Sequence, residues 1–410
     1  MEADSCVRRC AEMELTYKYR IYPTKKQMSD VRNICGAARF LYNKMLEDRT
    51  QHYREKRQWK RLDSKPFIEF FPFLAQTDPG ALAWTVNRLN RAYQHFFFVE
   101  KTEMDRYRPE SIAKNKIDKK YALLDTDLVS YPQYKRKKKA KESYTTVLKK
   151  VDVQNKRILL PVLGRVKIAY HRQVPEDAQL LDCTILKAKS GKYFVLLRLE
   201  LSETPKVELQ TALGMVFVPG GPVGVRSDGE AVCMRRQTQR QTKRIKQAYK
   251  TLCRRTYGSR RYEEQRKYLA ALYEKRANQR RDDLHKAARQ ITNAADALYL
   301  QKPDVRKRAA QQETARARAR IWDESWYTLF SYVRYTAMLE GKHFWGVPEN
   351  FPTYHFCSAC GAFNKEPEKG KWVCPACGLQ MDDAVNAAMN LQHMAEKYIR
   401  ELKELEQKKK

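Results

Sequence analysis

Acidic residues are scarce in this sequence. Of its 410 residues, 48 are Asp or Glu and 81 are Lys or Arg, so the formal net charge is +33 at pH 7. An excess of this size excludes an ordinary metabolic enzyme and is typical of chains that bind a phosphate backbone. The alternative, a solvated basic surface like that of many ribosomal proteins, also implies a nucleic-acid partner.

Long hydrophobic runs are missing as well. The chain has no apolar stretch of about eighteen residues, and residues 1–13 lack the apolar segment of a secretory signal, so we expect a cytoplasmic protein with no membrane partner. Hydrophobic residues nevertheless make up 42% of the chain and aromatic residues 11%. This content excludes a disordered basic tail and predicts two or more domains with real cores.

At one place in the sequence the cysteines have the spacing of metal ligands. Two Cys-x2-Cys knuckles lie a short polar loop apart, and a glycine follows the second cysteine of each, where a tight turn favours positive φ. The knuckles are formed by Cys357, Cys360, Cys374 and Cys377. This spacing predicts a structural Zn²⁺ site, whereas a pair of disulfides fits a reducing compartment poorly. The other cysteines are expected to be packing residues or free thiols: Cys6, Cys10, Cys35, Cys183, Cys233 and Cys253.

The first half of the chain changes character twice. Residues 14–22 alternate as a β-strand does and stop at Pro23, after which Thr24 can cap a helix. The apolar spacing is then mostly helical to about residue 128, and short β-patterned pieces follow between 131 and 201, at 144–147, 157–161, 166–170 and 193–199. The pattern indicates a small β-barrel or sandwich that includes the early strand and has a helical domain inserted.

A third domain begins after Leu213. Residues 214–218 fit a buried strand, 236–295 show one long Arg-rich helical pattern, 297–301 fit a second buried strand, and 305–340 return to helix. Four aromatic residues at roughly helical spacing are assigned to packing: Trp322, Trp326, Phe330 and Tyr335.

Seven landmarks in order resemble the TnpB family of transposon-encoded RNA-guided nucleases, the ancestors of type V CRISPR effectors. They are residues 17–24, Arg39-Phe40-Leu41-Tyr42-Asn43, 131–135, 160–164, 278–286, the knuckle 357–361 and 385–391. The resemblance implies an α+β multidomain protein: a wedge β-barrel with an inserted helical recognition domain, followed by a RuvC-like, RNase H-fold domain with an inserted zinc ribbon. The implied segments are 1–24 and 129–206 for the wedge, 25–128 for the recognition domain, 207–352 and 381–395 for the RuvC-like domain, 353–380 for the zinc ribbon and 396–410 for a basic tail.

In that family three carboxylates hold two Mg²⁺ ions beside the scissile phosphate. The resemblance places Val216, Gln301 and Ala384 at these three positions. Valine and alanine offer no ligand atom, and a neutral amide lacks the charge that offsets Mg²⁺. No Asp or Glu occurs between Glu208 and Asp228, so a shift of alignment does not restore the first acid. Mg²⁺ is therefore not expected at this site.

The chain is accordingly most similar to the nuclease-dead TnpB-like repressors, TldR. The resemblance implies a nucleoid-associated transcriptional repressor that uses a guide RNA to bind matched DNA next to a short flanking motif. A partner from the transcription machinery cannot be identified from one chain. The alternative is an active RNA-guided, Mg²⁺-dependent endonuclease that uses displaced acids, namely Asp228, Asp304 and Asp383.

Three groups of residues are candidates for nucleic-acid contact. By resemblance, Tyr17, Tyr19 and Arg20 lie near the flanking-motif duplex and guide, with a structural role in an edge strand as the alternative. The basic run is the best electrostatic candidate for phosphate: Lys135, Arg136, Lys137, Lys138 and Lys139. The last group lies on the long helix, where an Arg281–His285 pair on a solvated face is the alternative: Arg280, Arg281, His285 and Lys286.

Overall fold

The computed structural model describes residues 13–56, 63–106, 131–137, 142–148, 150–175, 177–201, 205, 207–219, 222–234, 239–366, 368 and 370–407. The chain divides into two compact units, Met1–Ser202 and Glu203–Lys410, close to the predicted start of the RuvC-like domain. Among the described residues, no helix combines the length and the apolar character that crossing a bilayer requires.

Unit 1 contains a seven-stranded antiparallel sheet and three helices. The strands are β1 (Met13–Tyr22), β2 (Ser143–Thr146), β3 (Lys150–Asp152), β4 (Arg157–Leu160), β5 (Gly164–Ala169), β6 (Ala178–Lys187) and β7 (Tyr193–Leu201). The helices are α1 (Lys25–Lys56), α2 (Lys65–Phe70) and α3 (Pro79–Arg106), with a 3-10 turn at Pro72–Leu74.

The early strand belongs to the same sheet as the later β-segments, as the sequence predicts. The strand order is β2-β6-β7-β1-β5-β4-β3, which places β1 in the middle. The predicted edge position of β1 is therefore wrong. Strands β2 and β3 end the order, so closure into the predicted barrel is not part of the hydrogen-bond pattern of the described residues.

A reciprocal cap joins β1 to α1. The Thr24 hydroxyl accepts a hydrogen bond from the Gln27 backbone N–H, and the Gln27 side chain accepts one from the Thr24 N–H. This is a capping box, and it confirms the predicted helix start. The Gln27 amide also donates to the carbonyls of Leu163 and Arg165 and so ties the helix to the β4–β5 turn.

The sequence pattern missed strand β6. Its register shifts between Leu180 and Asp182, and the bulge turns two successive residues, Asp182 and Cys183, inward. A strand with a bulge does not alternate strictly, so its apolar pattern is not typical of a strand. Asp182 is neutralised by Arg198 of β7, with an N–O distance of 2.5 Å.

Unit 2 is built around a second sheet. Its strands are β8 (Ala212–Phe217), β9 (Gly224–Arg226), β10 (Ala231–Val232), β11 (Ala297–Gln301) and β12 (His343–Val347), and a small hairpin is formed by β13 (Trp372–Val373) and β14 (Gln380–Met381). The helices are α4 (Gln239–Cys253), α5 (Arg260–Thr292), α6 (Val305–Ala310), α7 (Ala315–Glu324), α8 (Trp326–Leu339) and α9 (Asp383–Gln407). The five-stranded order is β10-β9-β8-β11-β12, with β8, β11 and β12 parallel.

Both faces of this sheet are covered. Met215 on β8 packs in a cluster with Leu284 of α5 and Trp326 of α8, whereas the next residue, Val216, lies in a second cluster with Leu391 of α9. A parallel strand buried on both faces reads as a continuous apolar run, which is why the sequence predicts β8 and β11 correctly.

The predicted helical regions of unit 2 are helical, and the structure divides two of them into separate helices. The long pattern 236–295 forms two helices, because Gly258 adopts φ +81° and Ser259 caps α5 by accepting from the Tyr262 N–H. Residues 305–340 form three helices, and α9 continues through residue 396, where a separate tail was predicted. Trp326 and Phe330 are buried as predicted, but Trp322 is 55% exposed.

Gly214 is expected to be indispensable to unit 2. A Cβ atom at this position would lie 1.8 Å from the Ala388 carbonyl oxygen and 2.6 Å from the Gln392 nitrogen, both backbone atoms of α9. Gly214→Ala should therefore cost more than about 3 kcal/mol, because β8 and α9 must move apart. Gly36→Ala is the control: it adds a methyl group with nothing within 4 Å, inside helix α1, and should stabilise by about 0.5–1 kcal/mol.

Thermal and urea unfolding measure both variants. Wild-type stability of the Gly214→Ala protein would contradict the close approach of β8 to α9.

Candidate functional site

The four knuckle cysteines converge on one point. All four Sγ atoms lie within 4.8 Å of one another, with Cys357–Cys377 at 3.7 Å and Cys360–Cys374 at 3.5 Å. A tetrahedral Zn²⁺ with Zn–S bonds of about 2.3 Å separates its sulfurs by about 3.8 Å, so this geometry fits one ion. The backbone N–H of Cys377 donates to Cys374 Sγ and lowers the pKa of that thiol to about 6, which favours the thiolate that a metal needs.

Two asparagines fasten the knuckles to α9. The buried Asn386 accepts a hydrogen bond from the Ser358 N–H at 2.9 Å and donates to the Phe356 carbonyl at 2.7 Å. Asn390, one turn further along α9, donates to the carbonyls of Thr353 and Phe356. Both asparagines belong to a landmark of the sequence, but their role was not identified from the sequence. The signal for that role is a pair of asparagines four residues apart in an otherwise apolar stretch.

Asn386→Ala is expected to destabilise unit 2 by about 2–3 kcal/mol, because it leaves the buried Ser358 N–H without its acceptor. Gln392→Ala is the matched control on the same helix: its amide donates to Glu396 one turn away, so its loss should cost under about 0.5 kcal/mol. Chemical denaturation of both variants gives the comparison. Equal stability of the two would show that Asn386 does not fasten the knuckle.

The three positions that the resemblance assigns to acids lie at the same end of the second sheet. Strands β8 and β11 are parallel with Leu300 opposite Met215, so Gln301 and Val216 are the next residues on neighbouring strands. Ala384 lies in the first turn of α9, and it shares one hydrophobic cluster with Val216. Both side chains are buried.

The Gln301 side chain forms hydrogen bonds with the backbone. It is 8% exposed, and its amide donates to the carbonyls of Glu349 and Phe351 in the segment after β12. The amide group therefore stabilises this loop through its N–H groups, which a carboxylate lacks.

The displaced acids do not gather into a metal site. Asp228 forms an ion pair with Arg226, Asp304 caps α6 by accepting from the Lys307 N–H, and Asp383 accepts from the Gly370 N–H. Within the described residues, the four cysteines are the one set of three or more His, Cys, Asp or Glu residues whose ligand atoms lie close enough to hold an ion.

The candidate contacts on β1 are mostly internal. Tyr17 and Tyr19 are buried; Tyr19 donates to the Arg172 carbonyl and stacks on Tyr170 at 5.4 Å. Burial and the neighbouring tyrosines raise the pKa of Tyr19. Arg20 is exposed and lies over the Tyr22 ring. Of the three, Arg20 alone has a side chain that a phosphate could reach.

The residues of the basic run differ in their exposure to solvent. The Lys135 ammonium lies 3.4 Å from the centre of the Tyr42 ring, and burial, with a smaller contribution from nearby Arg88, lowers its pKa to about 7. Its backbone is held by Asn43 in both directions, which joins two of the landmarks. Arg136 and Lys137 are exposed, whereas Lys138 and Lys139 lie outside the described residues.

The candidates on α5 have protein partners. Arg280 binds Asp323 of α7 at 3.0 Å, and Lys286 binds Asp282 one turn earlier at 2.6 Å. His285 stacks on Tyr332 of α8 with ring centres 4.2 Å apart, an arrangement that differs from the alternative pairing with Arg281. Arg281 is exposed.

Comparison with known proteins gives two domain matches. Residues 13–58 match the family model for the IS605 OrfB helix-turn-helix domain, and residues 326–391 match that for the Cas12f1-like TNB domain. In this chain the described part of the first match is a strand and one long helix, β1 and α1. The second match contains α8, β12, the knuckles and the start of α9.

Relatives match over almost the whole chain. "Putative RNA-guided DNA endonuclease" of Streptomyces pristinaespiralis is 26% identical over 93% of this chain and 89% of its own length. "Putative RNA-guided DNA endonuclease InsQ" of Escherichia coli K12 is 22% identical over 92% of this chain and 90% of its own length.

Two solved structures align over most of the chain with low similarity. The Cas12f1–sgRNA–target DNA complex gives a TM-score of 0.41 at 12% identity, over 93% of this chain and 99% of its own. The mini-RNA-guided endonuclease CRISPR-Cas_phi3 gives 0.44 at 8% identity, over 95% and 94%. These scores add nothing about function. By its domain matches and its full-length relatives, this chain is similar to IS605 OrfB proteins, to Cas12f1-like proteins and to putative RNA-guided DNA endonucleases.

Proposed function

We propose that this chain is an RNA-guided DNA-binding protein that does not cut its target and that represses transcription by occupying guide-matched DNA beside a short flanking motif. The names of its relatives support the RNA-guided part of the proposal. The net charge of +33 supports a phosphate-backbone partner, for which base pairing by the guide supplies the sequence specificity.

The observation that carries the inactive part is the hydrophobic cluster shared by Val216 and Ala384. Two-metal phosphodiester cleavage needs several oxygen ligands around a pair of hydrated ions. Aliphatic side chains offer no lone pairs and exclude water, and Gln301 next to them uses its amide N–H groups on backbone carbonyls.

The four cysteines fit Zn²⁺, which when bound would stabilise the knuckles by linking the two turns. Asn386 and Asn390 then hold these turns against α9. The protein's side chains have a structural role at this site, which is to orient the two knuckles.

The test uses the protein purified from its host with the RNA that accompanies it. The complex is incubated with supercoiled plasmid that matches the guide and with unmatched plasmid, in Mg²⁺, and binding and cleavage are scored separately. We expect binding to the matched plasmid alone, with the plasmid intact. Nicked or linear product would overturn the inactive assignment, and binding that ignores the guide would overturn RNA guidance.

The second candidate is an active nuclease that uses Asp228, Asp304 and Asp383. Asp228 is paired with Arg226, and Asp304 and Asp383 each accept a hydrogen bond from a backbone N–H group. These contacts are typical of ion pairing and capping. If matched DNA is cut, Asp383→Asn should abolish the product under this candidate, and the matched change Asp323→Asn, in an exposed ion pair with Arg280, should leave it unchanged.

A further inference from the structure

The helical hairpin α4–α5 presents a basic and aromatic surface that the proposed function does not yet use. Ile245, Ala248 and Leu269 form a small core between the two helices, and the Gln265 side chain donates to the Ala248 carbonyl. The cations of α4 and Tyr249 are exposed, whereas Leu252 packs against the small core and Gln241 donates to Gln279 of α5. The hairpin therefore holds a fixed surface without being covered by the described part of unit 2.

Helix α4 carries several cations that form no ion pair with the described residues. Between Gln239 and Cys253 it has five cations and no acid. None of the five forms an ion pair with a described residue; they are Arg240, Lys243, Arg244, Lys246 and Lys250. By contrast, Glu263 and Glu264 on α5 are paired with arginines of their own helix. Uncompensated cations in a row are suited to a chain of phosphates.

Exposed tyrosines lie on the same hairpin as these cations, and Tyr249 lies among them on α4. Four of them leave about half or more of the side chain uncovered: Tyr249 56%, Tyr257 72%, Tyr268 46% and Tyr273 48%. Tyr249 directly follows Ala248 on α4, and Tyr273 directly follows Leu272 on α5; Ala248 and Leu272 both pack in the small core between the two helices. Lys246 and Lys250 are on α4, one turn before and one residue after Tyr249.

We infer that this hairpin binds an unpaired segment of RNA, with bases stacked on Tyr249 and Tyr273 and phosphates on Lys246 and Lys250. Aromatic faces between cations are the surface that single-stranded nucleic acid recognises, because duplex bases are already stacked on each other. The assignment to the guide RNA rests on the proposed function: the guide stays bound in every state, whereas a displaced DNA strand exists only after the target opens.

The test measures the affinity of the full-length, RNA-stripped protein for a fluorescent 15-nucleotide oligouridine, for the matching single-stranded DNA and for a duplex DNA of the same length. Tyr249→Ala with Tyr273→Ala should weaken oligouridine binding roughly a hundredfold and leave duplex binding nearly unchanged. Tyr249→Phe with Tyr273→Phe keeps the rings and should keep most of the affinity. Tyr327→Ala, an equally exposed tyrosine on α8, is the control for loss of any surface ring.

Salt dependence separates the two parts of the surface. Lys246→Gln with Lys250→Gln should reduce the slope of log K against log salt by about 1.4, since each lost single-strand phosphate contact changes it by about 0.7, and the tyrosine variant should keep the wild-type slope. Wild-type affinity of the double alanine variant would overturn the inference, as would equal losses on duplex DNA or tighter binding of single-stranded DNA than of RNA. Guide-dependent plasmid binding is scored in a separate assay, so failure of the proposed function does not alter these affinities.

Discussion

Cys357→Ser is expected to remove the bound zinc and unfold the knuckle segment. The apolar core there consists of Cys357, Trp372 and Cys374 with a few partly buried neighbours, too little to hold two turns without a metal. Structural Zn²⁺ contributes about 10–16 kcal/mol to the folding of small zinc domains, so loss of one thiolate should be felt over the whole segment. Mass spectrometry measures the amount of bound zinc, and limited proteolysis of the segment that follows Phe351 measures its unfolding.

Cys233→Ser is the matched control, since Cys233 is a free and exposed thiol outside the cluster. It should retain one zinc per chain and resist proteolysis. A wild-type protein without zinc, or a Cys357→Ser protein with its zinc retained, would contradict the assignment.

Val216→Asp is expected to cost about 5 kcal/mol at pH 7, since burial in an apolar cluster raises the pKa of a carboxyl group by several units. The folded pKa then exceeds the unfolded value, so the extra cost grows as the pH rises from the unfolded pKa, about 4, to the folded pKa, and it is smallest below pH 4. Unfolding curves from pH 4 to pH 8 test this sign. If the difference in unfolding free energy between variant and wild type did not change with pH, the side chain of the new aspartate would reach water.

Adding the other two acids should change how the variant responds to magnesium. Val216→Asp combined with Gln301→Glu and Ala384→Asp places three carboxylates at one end of the sheet, where they repel each other until a cation binds. Mg²⁺ should raise the melting temperature of this triple variant by much more than it raises that of wild type. Met215→Asp is the matched control: it is equally buried but on the opposite face of β8, and should be destabilised without a response to Mg²⁺. Equal responses would show that the three positions do not converge.

The sequence predicts those parts of the fold that depend on local pattern. Strands β8 and β11 are apolar runs, and Thr24 with Gln27 forms a capping box that can be seen in the sequence. The alternation of β1 also places Tyr17 and Tyr19 on the same side as the buried Leu15. Their burial was therefore predictable, although the resemblance suggested contact with nucleic acid.

Other features depend on contacts between distant residues. The cluster that joins Val216 to Ala384 exists only once α9 packs on β8, and no local pattern contains it. Lys135 lies in a run of basic residues, yet the Tyr42 ring covers its ammonium. The bulge in β6 is similarly a result of pairing with β7, and the apolar pattern of β6 alone does not show it.

The central position of β1 affects how the protein is made. Ile21 pairs with Ile168 of β5 and with Tyr193 of β7, roughly 150 and 170 residues later, so β1 is synthesised well before both of its neighbours. At about 5–20 residues per second, synthesis of that stretch takes on the order of 10–35 s. During this time α1 can form, but β1 is an unpaired strand with an apolar side formed by Leu15, Tyr17 and Ile21. The charged residues between them, Lys18 and Arg20 among others, oppose association of nascent chains, and the high positive charge of the protein thus also serves its synthesis.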